Sequence, residues 1–131
     1  MTTTTHDFSA TAKRLSGPAL RTFFRIGEQW ALSREEQMKL LGLTATSTYH
    51  KWKGDQDVRL GPDTIERISY VLGIFKALQI LLSNPYLADG WIKKTNDAIP
   101  FGGHSPLAHM LQGGMQSLWE VRQYLDAQRG A

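Results

Sequence analysis

Four of the five prolines in this 131-residue chain stand where a helix would begin, and this placement constrains the fold more than any other feature. They occur in the pairs Gly17-Pro18, Gly61-Pro62, Asn84-Pro85 and Ser105-Pro106. Proline suits the first helical position because the N–H that it lacks would have no partner there. No extended run alternates β-branched or aromatic residues with polar ones, as a half-buried strand does. The chain is therefore predicted to be all-α.

Helical periodicity and capping residues predict three helices in the first half. Residues 1–16 are polar and rich in threonine, and we expect them to form a flexible arm. The first helix is predicted from about residue 18 to residue 30, the second over 34–41 and the third over 46–53. Gly42 is expected to end the second helix in a left-handed conformation. These helices predict a small N-terminal bundle.

The most apolar stretch, residues 63–82, is predicted to be a helix that joins this bundle to a second one. Its apolar residues form stripes on two faces, so both faces should be buried. Glycine costs roughly 1 kcal/mol inside a helix, and Gly73 could therefore divide this segment into two. Further helices are predicted over 84–94, 106–111 and 115–128, which indicates a small C-terminal helical domain.

The residue types that catalysis and metal binding require are missing or badly spaced. The chain has no cysteine, which excludes disulfide bonds and thiolate metal sites. None of the four histidines has a second ligand at a zinc-site spacing, and no Ser/His/Asp or paired-carboxylate arrangement stands out. Gly102-Gly103 lacks the preceding strand and the following Gly-Lys-Ser/Thr of a phosphate loop. We predict that the protein is not an enzyme and holds no metal and no cofactor.

Neither a membrane-spanning segment nor a secretory signal is predicted from the sequence. No run approaches 18 consecutive apolar residues, so no transmembrane helix is predicted. The first seven residues lack the basic start and apolar core of a secretory signal. A cytoplasmic protein is expected.

The net charge of +3 arises entirely in the first half of the chain. Residues 1–60 hold nine lysines and arginines against six acidic residues, whereas residues 61–131 hold six of each. Excess positive charge attracts a polyanion such as DNA, so the first half is the one expected to meet it.

Residues 33–53 have the composition of a helix-turn-helix. Ser33 and Glu36 form a capping box ahead of its first helix. Tyr49 and Trp52 are three residues apart and can anchor the second helix, while its polar and basic residues face the DNA groove. The residues predicted to bind DNA are Thr46, Ser47, His50, Lys51 and Lys53. The alternative is an αα-hairpin whose polar face is merely solvated.

An ordered motif in the second half resembles a known domain. The motif consists, in order, of Trp91, Asn96, the sequence Pro-Phe-Gly-Gly-His-Ser-Pro-Leu at 100–107, Met110-Leu111, Gly113-Gly114 and a closing amphipathic helix. It resembles the C-terminal toxin-binding domain of the Xre/MbcA/ParS antitoxin family.

The first half is similar to the Xre-type helix-turn-helix that this family carries upstream. The similarity rests on Leu40-Leu41-Gly42-Leu43, Thr48-Tyr49 and Trp52. The resemblance implies a helix-turn-helix domain over residues 17–76 and a toxin-binding domain over residues 77–131. Together the two motifs span nearly the whole chain.

The resemblance also implies a function. Members of this family are antitoxins encoded beside a RES-domain toxin, an ADP-ribosyltransferase-like enzyme that consumes NAD. The antitoxin covers the toxin's active site with a segment near its C-terminus and represses the shared operon through its helix-turn-helix. The expected partners are the RES toxin, operator DNA and a second copy of the chain.

The surface that would meet the toxin is expected on the last helix and at the chain end. Tryptophan, tyrosine and arginine are the types most enriched at interface hot spots. The residues expected to bind toxin are Trp119, Arg122, Tyr124, Arg129, Gly130 and Ala131. For Trp119 and Tyr124 the alternative is packing in the core. The homodimer contact could come from the apolar side of the first helix, including Phe23, Phe24 and Trp30, or from the second stripe of the 63–82 helix.

Two alternatives remain at this point. The chain could be a helix-turn-helix regulator whose second half serves only dimerisation or ligand sensing. It could also be a toxin-binding protein whose helix-turn-helix no longer binds DNA, because a net charge of +3 is modest.

Overall fold

The structure, a computed structural model, describes the backbone of residues 2–55 and 57–130 and the side chains of residues 16–55 and 57–130. Within these ranges it contains seven α-helices and no strand, which confirms the predicted all-α class. The helices are α1 (Thr2–Gln29), α2 (Arg34–Leu41), α3 (Thr46–Gly54), α4 (Pro62–Leu81), α5 (Pro85–Gly90), α6 (Pro106–Gln112) and α7 (Gly114–Gly130). A 3-10 turn, Trp91–Lys93, follows α5. No helix in the described part of the chain is long and apolar enough to cross a bilayer.

Helix α1 begins earlier than the sequence predicted. It starts at Thr2 and continues through Pro18, so the predicted start at residue 18 is wrong. Proline removes one backbone hydrogen bond inside a helix, and its ring crowds both the carbonyl of residue i−4 and the Cβ of the preceding residue. Gly17 has no Cβ, which lessens that crowding. The backbone of the segment predicted as an arm is therefore helical, and its flexibility stays a prediction.

The ends of α2 follow the predicted local rules. The Ser33 hydroxyl accepts a hydrogen bond from the Glu36 N–H at 3.1 Å, and the Glu36 carboxylate accepts one from the Ser33 N–H at 2.8 Å. Gly42 ends the helix with φ at +77°, in the left-handed region that glycine adopts without strain. Both the capping box and the glycine turn are confirmed.

Helix α4 lies between the two halves of the molecule. It packs against α1 and α2 on one side and against α5 and α7 on the other, as its two apolar faces predicted. Its fully buried residues are Ile68, Val71, Ile74, Ala77 and Leu78. The helix is therefore the shared wall of an N-terminal and a C-terminal bundle.

Gly73 does not break α4, so the division into two helices that the glycine could have caused does not occur. The reason is tertiary, because the Arg122 guanidinium of α7 lies where a Cβ at position 73 would stand. The glycine thus permits the close crossing of α4 and α7. A second arginine, Arg67, lies near the turn between α2 and α3, where a Cβ on Gly42 would be 2.8 Å from its Nε.

Buried apolar side chains from both halves form one continuous core. It includes Phe23, Phe24 and Trp30 of the first half, and the Trp30 ring lies 6.1 Å from that of Phe75 on α4. These three α1-side residues therefore do not supply a homodimer contact, and that suggestion is wrong. Lys93 adds a polar link between the halves, since its Nζ donates to the Ala31 carbonyl at 2.9 Å.

Candidate functional site

Helices α2 and α3 form a helix-turn-helix with α3 on the outside. All five residues predicted to bind DNA are exposed on α3, namely Thr46, Ser47, His50, Lys51 and Lys53. The helix contains no acidic residue, so nothing on its own surface repels a phosphate. The arrangement offers small polar and basic groups together on one element.

A buried polar chain fixes the orientation of α3. The Tyr49 hydroxyl donates to Gln37 Oε1 at 3.0 Å, and Gln37 Nε2 donates to the Leu32 carbonyl at 3.0 Å. The Tyr49 ring meets the Phe24 ring edge-on, with centroids 5.8 Å apart. Trp52 is half-buried against the core. The predicted anchoring by Tyr49 and Trp52 is confirmed, whereas Gln37, which completes the anchor, went unnoticed in the sequence.

Removing the Tyr49 hydroxyl tests this anchor. Tyr49→Phe should lower the free energy of unfolding by about 1–3 kcal/mol, because Gln37 Oε1 would stay buried without a donor. Urea denaturation measures the change. Tyr86→Phe is the control, since Tyr86 is 89% exposed, and it should change stability by less than about 0.5 kcal/mol. Equal losses in both variants would show that the buried hydrogen bond contributes nothing.

Lys53 differs from the other residues predicted to bind DNA. Its Nζ lies 3.5 Å from the Tyr49 hydroxyl, 5.6 Å from the Phe24 ring centroid and 5.8 Å from that of Tyr49. An ammonium group over aromatic faces is held by the ring quadrupoles. Lys53 therefore also stabilises the anchor of α3.

The start of α2 carries an exposed ion pair. Arg34 Nη2 lies 2.9 Å from Glu35 Oε1. A backbone hydrogen bond, and then the hydrogen bond and charge of Arg34, hold the pKa of Glu35 below its ordinary value. Both side chains are exposed, so this charge pair is available to solvent or a partner.

The Phe-Gly-Gly motif of the second half builds the core of the C-terminal bundle. Phe101 is buried, and its ring centroid lies 5.2 Å from Tyr124, 5.8 Å from Trp91 and 5.8 Å from His109. Tyr124 also stacks on Trp91, with centroids 6.1 Å apart and planes inclined by 20°. Tyr124 is therefore half-buried, in line with the core-packing alternative, and its contact with the toxin stays a prediction.

The loop before α6 is closed by Asn96. Its side chain accepts from the Ala98 N–H at 2.9 Å, and its carbonyl accepts from the Gly103 N–H at 2.8 Å. Gly102 and Gly103 have φ values of +59° and +93°, which other residues rarely adopt. The Ser105 hydroxyl then caps α6 by accepting from the Ala108 N–H at 3.0 Å. These residues of the motif thus fix the conformation of the loop and the start of α6.

The remaining residues expected to bind toxin have different surroundings along α7. Trp119 is 42% exposed, and Arg129 and Gly130 are exposed at the end of the helix. Arg122 is half-buried and pairs with Asp126 at 3.0 Å, so the expectation that it is exposed is wrong, while its role in toxin binding stays a prediction. Its guanidinium lies against Gly73 of α4, and 31% of its side chain is exposed. Ala131 lies outside the described residues.

A surface groove that was not predicted from the sequence lies between α4 and α7. Its volume is about 460 Å³, and it is lined by Glu66, Tyr70, Met115, Gln116 and Trp119. The Tyr70 hydroxyl donates to Glu66 Oε2 at 3.2 Å. The only available signal was the four-residue spacing of Glu66 and Tyr70 on one helix face. Among the described residues, no three histidine or acidic side chains gather to hold a metal ion.

Each half of the chain matches a known protein family. Residues 9–73 match the family described as the antitoxin Xre-like helix-turn-helix domain. Residues 77–130 match the antitoxin Xre/MbcA/ParS C-terminal toxin-binding domain. The chain is also 50% identical over 111 residues to the Sinorhizobium fredii protein named "Uncharacterized protein y4oB", which covers 85% of this chain and 84% of that protein.

Proposed function

Because the chain belongs to the Xre/MbcA/ParS antitoxin family and is thus the antitoxin of a toxin–antitoxin pair, we propose that its toxin is a RES-domain enzyme that degrades NAD. The chain inhibits this enzyme by covering its active site and represses transcription of its own operon. The observation that carries the proposal is the match of residues 77–130 to a toxin-binding domain, combined with the exposed end of α7.

The toxin contact belongs on α7. Trp119 and Arg129 are of the residue types that dominate binding energy at protein interfaces, and both are exposed. Arg129 and Gly130 stand at the end of the helix, where a short segment can enter a cleft on a partner. Residues of the core cannot do this without unfolding. The inhibitory segment is therefore the exposed C-terminal end of α7.

Co-purification with the protein encoded beside this chain tests the toxin assignment. The neighbour is expected to form a stable complex, to consume NAD when free and to stop consuming it when bound. A neighbour that binds but does not consume NAD would show a toxin of another class. Absence of any complex would leave the chain as a regulator whose second half serves dimerisation or ligand sensing.

The DNA contact belongs on α3. Its exposed polar and basic side chains, its lack of acidic residues and its rigid anchor on α2 suit insertion in a major groove. Helix-turn-helix proteins usually bind two half-sites one helical turn apart, so the repressor acts as a homodimer. The excess positive charge of the first half favours the same assignment.

Lys51 provides the sharpest test of this contact. Lys51→Ala should reduce the slope of log affinity against log salt concentration by about one unit, because one phosphate contact is lost. Titration of the operator fragment at several salt concentrations measures the slope. Lys94→Ala is the control, since Lys94 is exposed in the C-terminal half and should not change it. If the slope of log affinity against log salt concentration is equal in both variants, Lys51 does not contact the DNA. If the wild-type chain binds no operator, toxin inhibition is its whole function.

A further inference from the structure

The groove between α4 and α7 combines an aromatic wall with one carboxylate. Trp119 is 42% exposed and Tyr70 is half-buried, while Glu66 is exposed at the rim. Met115 and Gln116 complete the lining, and the volume of about 460 Å³ can accept a large side chain. Trp119 is one of few large apolar side chains that the described surface leaves in contact with water.

Neighbouring carboxylates on these helices are already paired. Asp63 lies 3.0 Å from Arg67, and Asp126 lies 3.0 Å from Arg122. In the described part of the chain, no lysine, arginine or histidine nitrogen lies within ion-pair distance of Glu66. Its described hydrogen bond comes from the neutral Tyr70 hydroxyl. Among the described side chains, the carboxylate of Glu66 therefore has no cationic partner, and it lies beside exposed aromatic surface.

The Tyr70 hydroxyl keeps its proton in this setting. Partial burial, and then the hydrogen bond to and the charge of Glu66, raise the pKa of Tyr70 above its ordinary value. The hydroxyl therefore remains a donor at neutral pH and holds one carboxylate oxygen. The other oxygen, Oε1, is left for a partner.

We propose that this groove binds an arginine side chain presented by the toxin, which deepens and rests on the function proposed above. Guanidinium is planar, so it can stack on the indole of Trp119 while its N–H groups bind the carboxylate of Glu66. Such charge-assisted hydrogen bonds are stronger than neutral ones. Met115 adapts readily to the aliphatic part of an incoming side chain. A nucleic acid is excluded because Glu66 would repel its phosphates.

The groove and the C-terminal end of α7 lie close enough together to belong to one continuous toxin interface. Gly130 comes eleven residues after Trp119 on α7, which is about three turns and about 16 Å along the axis. At 3.6 residues per turn, the two positions share nearly the same face of the helix. A toxin that receives the end of α7 can therefore also contact the groove.

Affinity of the full-length chain for the purified toxin tests the proposal. Trp119→Ala should weaken binding roughly 30-fold and Glu66→Gln roughly 10-fold, as expected for a hot spot and for a lost charge-assisted pair. Glu66→Gln keeps an acceptor for the Tyr70 hydroxyl, so its thermal midpoint should match the wild type. Glu66→Arg should weaken binding more than Glu66→Gln because it places two cations together.

Two control variants separate this contact from general effects. Glu28→Gln removes an exposed carboxylate from α1, and Tyr86→Ala removes an exposed ring from α5. Neither should change the affinity. If Trp119→Ala and Glu66→Gln bind the toxin as tightly as the wild-type chain does, the groove proposal alone is overturned. A wild-type chain that binds no RES toxin would overturn both this proposal and the proposed function.

Discussion

Replacing Phe101 by alanine is expected to lower the free energy of unfolding by about 3–5 kcal/mol. Phe101 is 2% exposed and stands at the centre of four aromatic rings. The other three, Trp91, His109 and Tyr124, belong to the 3-10 turn, α6 and α7 respectively. To close the cavity, three separate elements would have to move together, so little of the lost packing can be recovered.

Urea denaturation of the two variants Phe101→Ala and Ile99→Ala measures this effect. Ile99 lies two residues earlier in the same loop and is 89% exposed. Its replacement removes a similar apolar side chain from water-exposed surface and should change stability by less than about 0.5 kcal/mol. If Phe101→Ala were as stable as Ile99→Ala, the aromatic cluster would not be the centre of the C-terminal core.

Removal of residues 129–131 is expected to restore NAD consumption by the toxin to the rate of the free enzyme. The same truncation should change the free energy of unfolding by less than about 0.5 kcal/mol, because Arg129 and Gly130 are exposed. The last fully buried residue of α7 is Leu125, which the truncation retains. The truncated chain is thus expected to lose inhibition of the toxin while it keeps the stability of the wild type.

The measurement is a titration of the toxin with each antitoxin variant, followed by NAD consumption. Tyr86→Ala is the control, since Tyr86 is 89% exposed on α5 and lies outside α7. It should inhibit as well as the wild type, and both variants should still bind the operator. A truncated chain that inhibits at the same molar ratio as the wild type would place the inhibitory segment elsewhere.

Features that depend on neighbours in the sequence were predictable. Ser33, Glu36, Gly42 and Ser105 act within three or four residues of their own position, so their roles follow from sequence alone. The helix-turn-helix was predictable for the same reason, since its turn and caps are local. The family resemblance supplied the nature of the second half, because its motif has a fixed order along the chain.

Features that depend on distant contacts were not predictable. Gly73 resembles a helix break until Arg122, 49 residues later, is seen to cross it. The sequence does not decide whether Tyr124 is exposed or packed in the core, because its contacts with Trp91 and Phe101 depend on the fold. Pro18 indicates a helix start, yet the helix runs through it. The groove beside Trp119 exists only because two helices meet, and no single segment encodes it.

Helix α4 contains the junction between the two matched domains, since one match ends at residue 73 and the other begins at residue 77. A chain severed there would leave each fragment with half a helix and an apolar face in water. We therefore expect the two halves to unfold as one cooperative unit, so that a partner bound at α7 would also raise the free energy of unfolding of α3 by mass action. Proteolysis that opens either half is then expected to destroy both, so that no fragment would retain α3 without α7.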